Sequence, residues 1–341
     1  MTQAAAQFSR AGFWVTCCLA ATFPALTQSP PHLYDAPTEQ AVRRGNEAIA
    51  AKKYEDAIRA FKEANKLQRN ACFDCYLGLA VAYRETGDAK NSEESANKAL
   101  AVAGDAGQRA IAHSVKGSVL MLREANDPKK LAAAEQEFRQ ALVEQNGDLR
   151  ARFQLGWILL KEKRDQEGIQ ELKAFIASAP PGLRADAAAK FIADPRRARE
   201  SFAPEFEMIT MQGEKVALNH LLGKVVVLDF WATWCPPCRD SLPELKDLVK
   251  KYPREKLVLI SISADAEEKK WREFIAKKNM DWPQYLDSDL RLRIMFGVRS
   301  FPTYVVIDRE VIIREEIHGM NPQQSVAYRL RDTLKSMREL D

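Results

Sequence analysis

Residues Val225–Cys238 read VVVLDFWATWCPPC, and the rest of the chain is organised around them. Val225 to Phe230 is a run of β-branched and large apolar residues, interrupted by Asp229. It is short, as a buried strand is, and predicts a core β-strand. Trp234-Cys235-Pro236-Pro237-Cys238 follows, and an amphipathic pattern then runs from Asp240 to Tyr252. The pattern predicts a strand that delivers two cysteines to the first turn of a helix, which the missing donor at Pro243 bends. A thiolate at such a position is favoured by unpaired backbone N–H groups and by the helix dipole. The arrangement suits thiol–disulfide exchange, with Cys235 attacking and Cys238, one helical turn on, resolving the mixed disulfide.

Further elements are predicted on both sides. Met208-Ile209-Thr210 and Val216-Ala217-Leu218 flank Gln212-Gly213-Glu214, a hairpin signal. Beyond the cysteines come a strand over 256–263, a helix over 267–279 and a short helical stretch over 290–296. Two antiparallel strands over 303–308 and 312–318 follow, then a helix from about Pro322 to Leu340. The expected order is hairpin, βαβα, ββα.

The chain ahead of Ala203 has a different character. Ala-rich helical periodicity begins at Thr38, and a spaced pattern recurs about every 34 residues. Gly45, Ala57, Phe61 and Ala64 set it. Tyr76, Leu79, Tyr83, Gly87, Ala96 and Ala99 repeat it. Gly117, Phe138 and Ala141 follow after an insertion near Asn126-Asp127-Pro128, and Gly156, Gly168, Leu172 and Phe175 end with Pro180. The expected organisation is helical repeats over 38–182 in about four units, a capping helix and solvated linker over 183–202, and the redox domain over 203–341. The whole is an all-α solenoid followed by an α/β domain with a mixed sheet flanked by helices.

At the N-terminus, Arg10 is the single charge in the first 34 residues and precedes an apolar run from Ala11 to about Ala25. Residues 1–28 are expected to be a cleaved secretory signal, with an uncleaved anchor or a cytosolic arm as alternatives. The first reading makes the protein periplasmic or secreted. Membrane association is expected only if the segment is retained.

Six cysteines are present: Cys17 and Cys18 in that segment, and the pairs Cys72/Cys75 and Cys235/Cys238. For Cys72/Cys75 four readings stand open: a structural disulfide, two buried thiols, a second redox relay, or half of a Cys₄ zinc site with the other pair. The four histidines have no ligand spacing, and neither a metal nor a cofactor is expected. Net charge is only +4 over 341 residues, and no basic stripe with interleaved aromatics occurs, which argues against a nucleic-acid binder.

Two resemblances add to this reading. The repeats resemble the tetratricopeptide repeat, whose stacked helix pairs form a groove that holds a peptide or protein. Residues 203–341 resemble the thioredoxin fold in its TlpA/ResA-like, redoxin-type branch. The matching features are APEF before the hairpin, Gly223-Lys224-Val225, FWATWCPPC, Pro243, Ser300-Phe301-Pro302-Thr303 and Gly319. The resemblance implies a buried acid, here Asp229, that takes the proton of Cys238. It implies a cis-proline at Pro302 facing the cysteines, with the Phe301 backbone pairing with the partner chain. Trp234 is expected to shield the pair and, with Pro236 and Pro237, to form the docking surface. Many members of that branch carry Glu three residues after the second cysteine. Ser241 stands there in this chain, which shifts weight onto Asp229.

The implied activity is reduction of protein disulfides, with exported cysteine proteins as substrates, an unidentified electron donor, and a protein or peptide held by the repeat groove. Two rival readings are an interaction scaffold with a redox-silent domain and a peroxidase. A peroxidase would place a threonine three residues before its cysteine, whereas Thr233 lies two before Cys235.

Overall fold

A computed structural model describes residues 34–121, 127–319 and 326–337. The 1–28 segment with Cys17 and Cys18, the Asn126 end of the insertion, and the flanks of the last helix lie outside the described residues. The chain divides into two compact units after Arg199.

The first unit is helical. It comprises α1 (Ala36–Ala50), α2 (Tyr54–Leu67), α3 (Phe73–Glu85), α4 (Ala89–Val102), α5 (Ala106–Leu120), α6 (Pro128–Glu144), α7 (Leu149–Lys161), α8 (Asp165–Ser178) and α9 (Leu183–Ala193). Consecutive helices α1/α2, α3/α4, α5/α6 and α7/α8 pack as pairs. Short polar side chains start most of them. Asp35, Asp88, Asp105, Asp127 and Asp148 each accept a backbone N–H of the first turn, satisfying donors that a helix start leaves unpaired.

The repeat pattern is a packing pattern. Phe61 is fully buried, and its ring lies against both Gly45 and Gly78, where a Cβ would come within 2.7 Å and 2.4 Å of it. Phe138 fills the same role at Gly117. Small residues facing a large one let the helix backbones approach, and burying each ring stabilises the stack by about 1.5–3 kcal/mol.

The basic stretch after α9 differs from the solvated linker expected. Arg199 donates to the Leu160 carbonyl at 2.6 Å and pairs with Asp165, because the turn at Asp194-Pro195 folds it back onto α7 and α8. Arg196 pairs with Asp194.

The second unit begins with β1 (Glu207–Ile209) and β2 (Lys215–Ala217), an antiparallel hairpin around Gly213, whose φ of 81° suits the turn. Then follow β3 (Val225–Trp231), α10 (Pro236–Asp240), α11 (Leu242–Lys251), β4 (Leu257–Ser263), α12 (Glu268–Lys278), β5 (Gln284–Leu286), α13 (Arg291–Met295), β6 (Thr303–Ile307), β7 (Ile313–His318) and α14 (Val326–Ser336). The sheet order is β5-β4-β3-β6-β7, with β3, β4 and β5 parallel and β6 and β7 antiparallel to their neighbours.

Three elements differ from expectation. β5 lies outside the expected elements, since Gln284–Leu286 is too short to show a period. The bent helix is two helices meeting at Ser241, two residues before Pro243. Ser201 and Phe202 already join the sheet, through Ile313 N to Ser201 O at 2.7 Å and a bridge from Phe202 to Ile312.

The central strand β3 is buried along its whole length, and so is β4. Both faces of the sheet are covered, which is why these strands are continuous apolar runs without alternation. One face packs Val226, Leu228 and Phe230 with Phe206, Leu292 and Phe296. The other packs Val225, Val227 and Trp231 with Cys235, Cys238, Leu245, Trp271 and Tyr304. Among the described residues no helix is long and apolar enough to cross a membrane.

Candidate active site

Strand β3 ends at Trp231, and the chain turns through Ala232–Trp234 to bring Cys235 to the N-cap of α10. The turn is clamped by Asp265. Its carboxylate accepts the Thr233 N–H at 2.9 Å, the Thr233 hydroxyl at 2.6 Å and the Ser263 hydroxyl at 2.6 Å. Asp265 is buried, and nothing in the local sequence marks it. The Thr233 hydroxyl is therefore tied down at Asp265.

Cys235 and Cys238 form a disulfide, so this is the oxidised protein. The backbone N–H of Cys238 lies 3.3 Å from Cys235 Sγ and points a donor at it. Both sulfurs are almost fully buried, yet a cavity of about 450 Å³ opens at Cys235. Pro236, Pro237, Trp234 and Phe301 line it. The Trp234 side chain is 63% exposed and meets the Phe301 ring edge-on, centroids 5.9 Å apart. Trp231 by contrast is buried against Phe274.

The antiparallel pairing of Phe230 with Thr303 sets the start of β6 beside the end of β3. The Phe301–Pro302 bond there is cis. Pro302 O accepts the Gly319 N–H at 2.8 Å, and Thr303 Oγ1 donates to Ser300 O at 2.8 Å, so the loop is fixed from both sides.

Asp229 sits in mid-strand. Side chains alternate along a strand. Asp229 therefore faces the same layer as Val227 and Trp231, the layer that holds both cysteines. It is 1% exposed. Oδ2 accepts the Ser261 hydroxyl at 2.7 Å, while Oδ1 has no partner among the described residues. Burial pushes its pKa up to about 7, against the Ser261 bond, which favours the ionised form. Tyr304, the register partner of Asp229 on β6, is raised by burial and, in the same direction, by the charge of Asp229.

Ser261 is itself held. Its Oγ accepts the Trp282 indole N–H at 2.8 Å. Asp229, Ser261 and Trp282 make a buried polar chain that no local sequence pattern marks. Ser241 is buried, and its hydroxyl donates to the Pro237 carbonyl at 3.1 Å.

Cys72 and Cys75 are also joined by a disulfide, at the start of α3. Both are fully buried, and the Cys75 N–H faces Cys72 Sγ at 3.1 Å. Asn65 Oδ1 accepts the Cys72 N–H at 3.2 Å. In this oxidised state each pair closes on itself.

A five-stranded mixed sheet with a CxxC disulfide at the end of its central strand defines a thioredoxin-fold redox protein. Residues 200–316 match the AhpC/TSA family, and residues 42–111 and 129–182 match the tetratricopeptide repeat. The chain is 36% identical over 119 residues to the thioredoxin-like protein YneN of Bacillus subtilis (strain 168), across 34% of this chain and 68% of that protein. It is 30% identical over 124 residues to the thiol-disulfide oxidoreductase ResA of Bacillus thuringiensis (strain Al Hakam), across 36% and 72%. A solved structure, the thioredoxin domain of a thiol-disulfide oxidoreductase from Bacteroides vulgatus, is 25% identical across 40% of this chain and 96% of that one, with a TM-score of 0.35. The chain belongs to the family of thioredoxin-fold thiol–disulfide oxidoreductases that includes the ResA proteins, and it carries a tetratricopeptide-repeat domain ahead of the redox domain.

Proposed function

We propose that this protein reduces disulfides of exported proteins outside the cytoplasm, with Cys235 as nucleophile, Cys238 as resolving thiol and Asp229 as proton acceptor. The observation that carries the reading is the CxxC pair at an open aromatic cavity, with a buried carboxyl facing the same layer of the core.

In the reduced enzyme the Cys235 thiolate attacks one sulfur of a target disulfide. The target S–S bond breaks, a mixed disulfide forms, and the leaving target thiolate takes a proton from water. The Cys238 N–H directed at Cys235 Sγ favours the attacking anion. Cys238 then gives its proton to Asp229. Its thiolate attacks Cys235 Sγ, the enzyme disulfide closes, and the second target sulfur leaves as a thiolate that takes a proton from water. Two electrons have moved to the target, and an electron donor returns the enzyme to the dithiol.

The unpartnered Oδ1 of Asp229 supports its role, since a carboxyl raised to about 7 exchanges protons near neutrality. The Phe301–Pro302 loop offers a backbone edge to an extended target chain beside the Trp234–Phe301 ring pair. The repeat domain recruits the protein partner, as stacked helix pairs do. Export rests on the Ala11–Ala25 apolar run after Arg10.

Insulin reduction tests the reading. The wild type reduces insulin, Cys235→Ser does not, and Cys238→Ser accumulates mixed disulfides in an exporting host. Equal rates for wild type and Cys235→Ser would overturn it. An empty Cys238→Ser trap beside a full repeat-domain pull-down from the intact chain would favour the scaffold. A peroxide-reduction assay addresses the peroxidase, which the Thr233–Asp265 bonds disfavour.

A further inference from the structure

The groove beside Cys235 carries positive charge that the exchange chemistry does not use. Trp234 and Phe301, packed edge to ring, form an aromatic side of the cavity, and Arg293 and Arg299 line it as well. The Arg293 guanidinium lies over the Phe301 ring, 5.2 Å from its centroid, and its Nε donates to the Val298 carbonyl at 3.3 Å. Asp287 holds α13 in place by accepting the backbone N–H groups of Leu292 at 3.0 Å and Arg293 at 2.8 Å. The base of the Arg293 side chain is thereby fixed. Arg299 is exposed.

Some arginines of this unit are neutralised locally, Arg254 by Glu214 and Arg314 by Asp308. Arg293 and Arg299 pair with no carboxylate among the described residues. Two guanidinium groups, one pinned on an aromatic face, flank a cavity that opens at a nucleophile. A guanidinium presents a planar fork of donors that matches a carboxylate in two parallel hydrogen bonds. An aromatic surface takes apolar side chains with little regard to sequence, so the selective element is the charge.

We infer that this groove selects extended segments of oxidised proteins in which an aspartate or glutamate flanks the half-cystine attacked by Cys235. The inference rests on the exchange reading above and names its substrate class. Cys235 supplies the reaction, and Arg293 and Arg299 are specificity-determining residues that hold the acidic side chain while the target sulfur reaches Cys235. Opposite charge across such a site raises the encounter rate and rejects basic segments.

The test uses the reduced full chain and three disulfide-bonded peptides that differ only beside the cysteine, with Glu, Gln or Lys. Single-turnover reduction is followed by stopped flow. The Glu peptide is expected to react about five- to tenfold faster than the Gln peptide at about 20 mM salt, and the Lys peptide slowest. The gap narrows toward unity at about 0.5 M salt, where exposed charges are screened. In Arg293→Gln/Arg299→Gln the Glu-to-Gln ratio falls to about one. Equal rates for the Glu and Gln peptides in the wild type, or a ratio the double variant keeps, overturn the proposal and leave the exchange reading standing. Oxidised glutathione reacting faster than the Glu peptide also overturns it, since the groove would then serve a small acidic disulfide. No reduction of any disulfide overturns the exchange reading and this proposal together.

Discussion

Ser261 Oγ lies 2.7 Å from Oδ2 of Asp229, across the parallel β3–β4 pair in which the two are register partners. Because Ser261 Oγ also accepts the Trp282 indole N–H, its own proton is committed to Asp229. The carboxyl thus has one oxygen fixed by a donor and one unpartnered among the described residues, and burial raises its pKa to about 7.

Asp229→Asn removes the proton acceptor. In the wild type the ionised fraction of Asp229 rises from about a tenth at pH 6 to about nine tenths at pH 8 for a pKa near 7. Resolution of the mixed disulfide is therefore expected to accelerate through this window. The variant loses that inflection and resolves about a hundredfold more slowly at pH 8. Rapid-quench measurement of the mixed disulfide against pH checks this, and an unchanged profile removes Asp229 from the reaction.

The same carboxyl affects stability. Its folded pKa of about 7 lies above the ordinary 3.8, so folding is undisturbed at low pH, where both states are protonated. As pH rises from about 4 the unfolded chain ionises first, and the cost grows until about pH 7, reaching on the order of 4 kcal/mol. Asp229→Asn is therefore expected to be more stable than wild type by about 1–3 kcal/mol at pH 8 and not at pH 4. Urea melts of both proteins at the two pH values check this. A variant less stable at pH 8 would show that the carboxyl is held by contacts stronger than the Ser261 bond.

Ser261→Ala takes away the bond that holds the Asp229 pKa down. The pH midpoint of resolution moves upward, a shift that packing damage alone would not produce. The Trp282 indole N–H also loses its acceptor, which costs about 1–3 kcal/mol. The pH–rate profile and a melt, read together, separate the two effects.

The two disulfides are expected to respond differently to reductant. Cys235 opens on a cavity, whereas Cys72 and Cys75 are fully buried among α2, α3 and their neighbours. Access of the attacking thiolate limits exchange. Graded dithiothreitol followed by alkylation and mass mapping should label Cys235 well before Cys72 or Cys75. Simultaneous labelling would mark the second pair as an accessible redox site.

Gly78→Ala places a Cβ 2.4 Å from the Phe61 ring. The ring is wedged between Gly45 and Gly78 and has nowhere to turn. Overpacking of this kind costs about 1–3 kcal/mol. Combining it with Phe61→Leu should recover part of the loss, and thermal melts of the intact chain would show it. Additive losses in the double variant would contradict the wedge.

Much of this protein is written in local pattern. The β3 run, the CxxC after it, the amphipathic segment beyond, and the spacing of Gly45, Phe61 and their equivalents each fall within a window of a few turns or one strand, where periodicity reports burial directly. Those features determined the repeat domain, the thioredoxin-type sheet and the two cysteines. The tertiary structure decided the rest. Ser261 and Asp229 are 32 residues apart, Thr233 and Asp265 likewise, and Trp282 lies 21 beyond Ser261. A serine or aspartate carries no mark of the partner it will meet when strands pair. Nothing in the sequence sets Arg293 and Arg299 apart from ordinary surface charge, and only the fold brings α13 and the segment after it beside Cys235. Apolar pattern is a property of one segment, whereas a proton path and a charged groove are properties of segments that only folding places in contact.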